Sequence, residues 1–285
     1  MGIVYLNGEF IPAENAKISP MDRGFLFGDG VYEVIPSYQG KLVGFGPHIA
    51  RLQNSLREIA LSLPMAERDW RDIATTLLSQ NKYENAGIYI HVSRGEDVKR
   101  FHGFPKNTKP TVFAYAFEIP PQQPIDQCSG KGLAITTAED LRWKRCNIKS
   151  TSLLGHVLHF QSSQDEGANE VVLYNGKNEV TEAAACNVFI VKNDVISTPE
   201  LNNQLLPGIT RQILLDMLNK EGIFEIQERV VLLDELLDAD EVWLTSSSKG
   251  VAPVTSIDGN PVGKGVPGDL AKVVQRLYLA HQFDY

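Results

Sequence analysis

In the stretch VKRFHGFP (98–105), Arg100 and His102 stand two residues apart. If the segment is extended, residues i and i+2 share a face, and the pair presents two hydrogen-bond donors side by side to an anion. A solvated basic edge fits the same spacing. Lys149, in RWKRCNIKSTSLLGHVLHF (142–160), precedes a run of small and apolar residues that reads as a helix start. The positive end of a helix dipole disfavours an ammonium there. An enclosed lysine favours the neutral amine, which can form a Schiff base with an aldehyde; a surface lysine is the plainer alternative. Glu182, in NEVTEAAACNVF (178–189), is either a solvated sheet end or the partner of a protonated pyridine nitrogen. In LLPGITRQILL (205–215) a glycine-led turn opens a helix at Ile209 and Thr210, whose free N–H groups suit a phosphate. The hydroxyls of LTSSSKGVAPV (244–254), Ser247 among them, suit phosphate oxygens or simply a turn. Arg51, in HIARL, lies beside the apolar stripe of its helix, a place for a buried phosphate partner or for solvent.

The elements that must carry these residues are legible in outline. A chain of 285 residues is long for one domain and comfortable for two around a cleft. MGIVYLNGEF reads as a short alternating strand and a turn, and KLVGF as another strand. Ile49, Leu52, Leu56, Ile59 and Leu63 recur at helical spacing until Pro64, and Trp70, Ile73, Leu77 and Leu78 mark a second helix. GIYIHVSR and TVFAYAF are β-rich. The Pro- and Gly-bearing stretch EIPPQQPIDQCSGKG (118–132) predicts a linker. Beyond it, LAITT, VVLY and NVFIV predict strands, with NGKNE as a turn. TRQILLDMLNKEG predicts a helix capped by Gly222, and LAKVVQRLYLAHQF a final helix. Strands mixed with helices indicate an α+β protein.

The net charge of −8 and the scattered basic residues argue against nucleic acid or an anionic membrane as the main partner. No apolar run approaches bilayer length, and the N-terminus lacks a signal-peptide pattern. Three widely spaced cysteines, Cys128, Cys146 and Cys186, read as free thiols, and the expected location is cytoplasmic. His156 and His159 stand three apart without a third ligand, so no metal site is expected. FGDG (27–30) reads as a turn before VYEV rather than as a nucleotide loop.

Taken in order, DRGFLFGDGVYE (22–33), HIARLQNS (48–55), RWKRCNIKS, VTEAAACNVF, GITR and LTSSS…PV resemble the class IV, or fold-type IV, pyridoxal-phosphate aminotransferases over nearly the whole chain. The resemblance implies a smaller N-terminal α/β domain (1–118), a linker (119–131) and a larger C-terminal pseudo-barrel domain (132–285) that binds pyridoxal 5'-phosphate. It implies that Lys149 is the Schiff-base lysine and proton shuttle, and that Glu182 keeps the pyridine nitrogen protonated. Arg51, the backbone at Ile209 and Thr210, and Ser247 are then expected to hold the phosphate.

Within the family, the Arg-x-His pair after VSRG and before Phe-Pro is most similar to the D-amino acid aminotransferases. That likeness implies that Arg100, His102 and Tyr32 bind the substrate α-carboxylate, with the first two reaching the site from the neighbouring subunit of a homodimer. The expected reaction is transamination between a D-amino acid of the D-alanine or D-glutamate type and a 2-oxo acid. A branched-chain L-aminotransferase and an aminodeoxychorismate-lyase-like enzyme are the alternatives. The chain departs from the pattern at AAAC (183–186), where hydroxyls are lost, at Phe101 between Arg and His, and at Lys249 beside the phosphate hydroxyls.

Overall fold

The computed structural model describes residues 2–125 and 132–285. The chain divides into two compact units: Met1–Pro121 with Ile148–Leu153 and Tyr285, and Gln122–Asn147 with Leu154–Asp284. The second unit is therefore not the unbroken span 132–285, because Ile148–Leu153, with Lys149, packs with the first. Cys128 and residues 126–131 of the expected linker lie outside the described residues.

In the first unit the chain runs β1 (Ile3–Leu6), β2 (Glu9–Pro12), α1 (Arg23–Phe27), β3 (Gly30–Tyr38) and β4 (Lys41–Leu42). It continues through α2 (Phe45–Glu58), α3 (Glu67–Asn81), β5 (Asn85–Ser93) and β6 (Thr111–Glu118). The strands form one sheet in the order β2-β1-β6-β5-β3-β4 with antiparallel pairing throughout. Strict alternation in β5 and β6 sends Ile88, Ile90, Val92, Val112, Ala114 and Ala116 to one face, where they meet Ile49, Leu52 and Leu56 of α2 and Trp70, Ile73 and Leu77 of α3. The expected strand KLVGF is cut to Lys41–Leu42: Gly44 turns left-handed at φ 56°, and Phe45 already opens α2. That helix ends at Glu58, before the Ile59–Leu63 extension that the periodicity suggested, because Ala60 takes a positive φ.

In the second unit β7 (Leu133–Glu139) is followed by α4 (Leu154–Asp165), β8 (Glu170–Tyr174), β9 (Val180–Ala183), β10 (Asn187–Lys192) and β11 (Val195–Pro199). Then come α5 (Ile209–Glu221), β12 (Glu225–Arg229), α6 (Leu233–Leu237), β13 (Glu241–Ser246), β14 (Gly250–Ile257), β15 (Asn260–Pro261) and α7 (Asp269–His281). The sheet order is β12-β11-β10-β13-β14-β7-β8-β9, with β15 on β14. The terminal strand β9 also contacts β10 and β11, so the sheet curls toward closure. Gly222, at φ 67°, caps α5 as the sequence predicts. No described helix is long and apolar enough to cross a membrane.

Ile88 is fully buried at the centre of the first sheet. Ile88→Ala is expected to lower stability by about 2–5 kcal/mol, read by urea unfolding of the first unit's aromatic signal.

Candidate active site

Lys149 does not sit at a helix start, since α4 begins five residues later. Its segment is instead an irregular stretch that lies along β3. Tyr32 N donates to Lys149 O (3.0 Å), Thr151 N donates to Gly30 O (2.9 Å), and Ser150 bridges Val31. The buried Ile148 side chain anchors this segment in the helix-covered core. The helix-dipole argument therefore does not apply. What the fold does provide is a fixed amine: Lys149 Nζ stands 4.3 Å above the Tyr32 ring, and among the described residues it has no carboxylate partner. Tyr32 stacks on Tyr89 (5.7 Å), which packs on Tyr115 (5.3 Å) and meets His91 Nδ1 through its hydroxyl (3.0 Å). Alternation in β5 and β6 places these rings on the sheet face opposite α2 and α3. Burial pushes the Tyr89 phenol up to about 12, so it remains a neutral wall at ordinary pH.

Arg51 is buried and already holds a carboxylate. Its Nε and Nη2 donate to Glu33 Oε1 and Oε2 at 2.8 and 2.7 Å, and His48 Nδ1 lies 2.7 Å from Oε2. Glu33 follows Tyr32 in β3 and faces α2, so one step along the strand separates the Lys149 side from the Arg51 side. Burial pushes the Glu33 carboxyl up, but Arg51 and His48 outweigh it and bring it down to about 2. Burial lowers the His48 pKa, which favours the neutral ring. Neither Glu33 nor His48 was singled out from the sequence. The signal in the sequence was a carboxylate at the same parity as the apolar Val31 and Ile35, the buried face of β3.

Arg100 and His102 are in a loop rather than a strand, yet they converge. The Arg100 guanidinium lies 5.1 Å from the Phe27 ring centroid and the His102 ring 5.3 Å from it. Both side chains are exposed, as is Phe101. Among the described residues no hydrogen bond or ion pair joins them to Tyr32 or Lys149 of the same chain.

In the second unit, Glu182 on β9 is buried rather than solvated. Arg142 Nη1 donates to its Oε1 (2.6 Å) and Leu206 N to its Oε2 (2.9 Å). Burial raises the Glu182 carboxyl above its ordinary value, against the pull of Arg142. Arg142 also binds both oxygens of Asp140 and reaches Gln204 O and His156 Nε2. His159 Nε2 accepts from Leu141 N, so the two histidines serve the Arg142 loop.

The chain leaving Leu206 reaches Gly208 at the start of α5, where a Cβ would collide with Asn187 Oδ1. No side chain caps this helix, which leaves the N–H groups of Ile209 and Thr210 open among the described residues. α5 packs on β13, and Ser247 lies in the turn after that strand. Lys249 does not add its charge to those hydroxyls: its Nζ turns to the buried Glu170 (3.5 Å), with Cys186 Sγ 3.8 Å away.

The class IV amino-transferase family model matches residues 30–257. The chain belongs to the class IV aminotransferases. It is 39% identical to a D-alanine aminotransferase of Bacillus licheniformis over 272 residues, covering 95% of this chain and 94% of that one. A D-alanine aminotransferase of Listeria monocytogenes is 36% identical, with 97% and 94% covered. Among solved structures, a T.th. branched-chain amino acid aminotransferase with pyridoxamine 5'-phosphate superposes with a TM-score of 0.91 at 25% identity, covering 99% of this chain and 94% of that one. The α+β, fold-type IV architecture expected from the sequence is thus the observed one.

Class IV aminotransferases depend on pyridoxal 5'-phosphate. Each unit offers groups that fit that cofactor: the first an amine with no carboxylate partner among the described residues, the second a buried carboxylate of raised proton affinity and a helix N-terminus with no side-chain cap.

The folded-state carboxyl of Glu33 titrates near 2, below its ordinary value of 4.5. Its contribution, on the order of 3 kcal/mol, is present above pH 4.5 and is lost as pH falls toward 2. Glu33→Gln leaves the buried Arg51 without its counter-charge and is expected to cost roughly 3 kcal/mol at pH 7. The same variant should flatten the acid limb of a urea-stability profile between those pH values.

Proposed function

We propose that this class IV aminotransferase moves the amino group of a D-amino acid, of the D-alanine or D-glutamate type, to a 2-oxo acid. The observation that carries the reading is the convergence of Arg100 and His102 on one ring, two donors matched to a carboxylate, in a chain similar along its length to D-alanine aminotransferases. Bound pyridoxal phosphate supplies a ring that accepts the charge of a breaking Cα–H bond.

The protein's own residues do the rest. Lys149 Nζ, with no carboxylate partner among the described residues to hold it, takes and returns the proton at the substrate Cα. Tyr32, directly beneath that amine, offers its phenol to the substrate carboxylate together with Arg100 and His102. Glu182, made more basic by burial and steadied by Arg142, keeps a proton on the ring nitrogen. Arg51, the open N–H groups at Ile209 and Thr210, and Ser247 are assigned to the phosphate.

A cytoplasmic homodimer is part of the same reading. Exposed apolar side chains along and before α4 support a second copy as their cover: Leu141, Trp143, Leu154, Val157 and Leu158. The exposure of Arg100 and His102, with no hydrogen bond or ion pair to Tyr32 or Lys149 of their own chain among the described residues, supports their service in the partner's site. The second reading, branched-chain L-transamination, is favoured by the fold match to the T.th. enzyme and disfavoured by the Arg-x-His pair.

Cofactor-loaded protein mixed with D-alanine should lose its pyridoxal absorbance and gain that of pyridoxamine phosphate, while L-leucine should leave it unchanged. The opposite selectivity would assign the chain to the branched-chain reaction. Lys149→Ala should lower turnover by about 10⁴-fold or more while the protein still binds the cofactor. Glu182→Gln should lower kcat by roughly 10²-fold with a smaller effect on KM. Sedimentation should give a mass of twice 31.6 kDa.

A further inference from the structure

The DRGFLFGDG stretch carries an arginine, a phenylalanine and an aspartate that the transamination reading leaves without a task. Among the described residues, the loop after β5 has little of its own to hold it: Asp97 Oδ1 accepts from Val98 N (2.8 Å), and Lys99 Nζ lies 5.0 Å from the Phe101 ring. Val98 is 96% exposed and Phe101 56%, and residues 97–110 contain no helix or strand. Its shape must come from what lies beneath.

Arg23, only 3% exposed, reaches into this loop. Its Nη1 donates to Phe101 O (2.5 Å) and Gly103 O (3.4 Å), and its Nη2 to His102 O (3.3 Å). The remaining donor, Nε, binds Asp29 Oδ2 at 2.8 Å. One guanidinium therefore grips three consecutive carbonyls around His102 and is itself anchored by a carboxylate. Arg94 binds both oxygens of the same Asp29 (2.8 and 3.0 Å) and lies 3.7 Å over the Phe104 ring, which steadies the loop one residue beyond. Phe27 forms the floor: the Arg23 guanidinium (4.8 Å), the Arg100 guanidinium (5.1 Å) and the His102 ring (5.3 Å) all rest on its ring.

We propose that Arg23, seated on Asp29 and Phe27, is the positioning residue of the carboxylate-binding loop, fixing the directions in which Arg100 and His102 leave the backbone. The inference rests on the carboxylate role of Arg100 and His102. Arg23 spends its donors on backbone and on Asp29, with Asp97 Oδ2 of the loop 4.0 Å from its Nη1, so it acts through Arg100 and His102 and not on the substrate. Because three carbonyls and a carboxylate answer a single planar fork, lysine cannot replace it. A carboxylate trap misaimed by an ångström loses binding before it loses proton transfer.

A double-mutant cycle on the full-length, cofactor-loaded protein tests this, using the KM for D-alanine. Arg100→Ala is expected to raise KM about tenfold or more. Arg23→Gln should raise KM by a similar factor with kcat within about threefold, and the double variant should be no worse than the worse single one. Arg23→Lys should recover only part of the loss. If the two effects multiply, or if Arg23→Gln leaves KM unchanged, Arg23 does not act through the loop. An unchanged KM in Arg100→Ala would instead sink the carboxylate role, and the positioning role with it. Should Arg23→Gln fail to retain cofactor, Phe27→Leu, which removes the floor but no charge, decides by the same cycle: masking by Arg100→Ala supports the mount, and multiplication overturns it.

Discussion

A guanidinium taken out of water must have its N–H groups answered, and much of this protein's irregular structure is the answer. Arg23, Arg51, Arg94 and Arg142 are each less than a tenth exposed, and each ties a loop or helix to a buried or half-buried carboxylate. The carboxylates come from regular or tightly turned positions: Glu33 in β3, Glu182 in β9, Asp29 just before β3 and Asp140 just after β7. The arginines then reach from these anchors to backbone carbonyls that no strand or helix would satisfy, such as Gln204, Ile59 and those at 101–103. A neutral side chain in place of any anchor would strand a charge in a low-dielectric setting, which is far more costly than losing a surface ion pair.

These ties also explain how the candidate side chains are held in place where no regular element of their own fixes them. Lys149 is held by the edge of β3 and by its buried neighbour Ile148 rather than by an element of its own. Glu182 shares Arg142 with Asp140 and holds Leu206 N, so the carboxylate and the loop that leads into α5 move as one piece. Arg51, with Glu33 and His48, carries a charge-balanced cluster from β3 to α2. Precision is thus obtained from polar contacts around a strand framework, while α2 and α3 supply the apolar burial on the far side of the first sheet.

Helices with clear periodicity and a good stop were legible in the sequence: α3, and α5 up to Gly222. So was the alternation that makes β5 and β6 half-buried strands. The lysine, the glutamate and the glycine-led turn stood out in the sequence as candidates for chemistry. What was not legible depended on pairing at a distance. Lys149 reads as the start of α4 because its neighbours are small and apolar, but its backbone is claimed by Gly30 and Tyr32, more than a hundred residues earlier. Arg51 reads as a residue beside a stripe, because its Glu33 partner is in another element. The extended geometry assumed for Arg100 and His102 is replaced by a loop bent over Phe27, a result of Arg23 that no local propensity reports.

The excursion of residues 148–153 into the first unit has a consequence for how the chain is made. A ribosome releases the N-terminal unit first, at roughly 5–20 residues per second. Yet that unit is unfinished when Pro121 emerges, because the stretch that lies along Gly30–Tyr32 is still to be translated. For the few seconds in between, this part of β3 waits with open backbone groups, a state in which strands are prone to pair with the wrong neighbour. The segment that completes the sheet is the one that carries Lys149, so that amine is set in place in the same step that closes the edge.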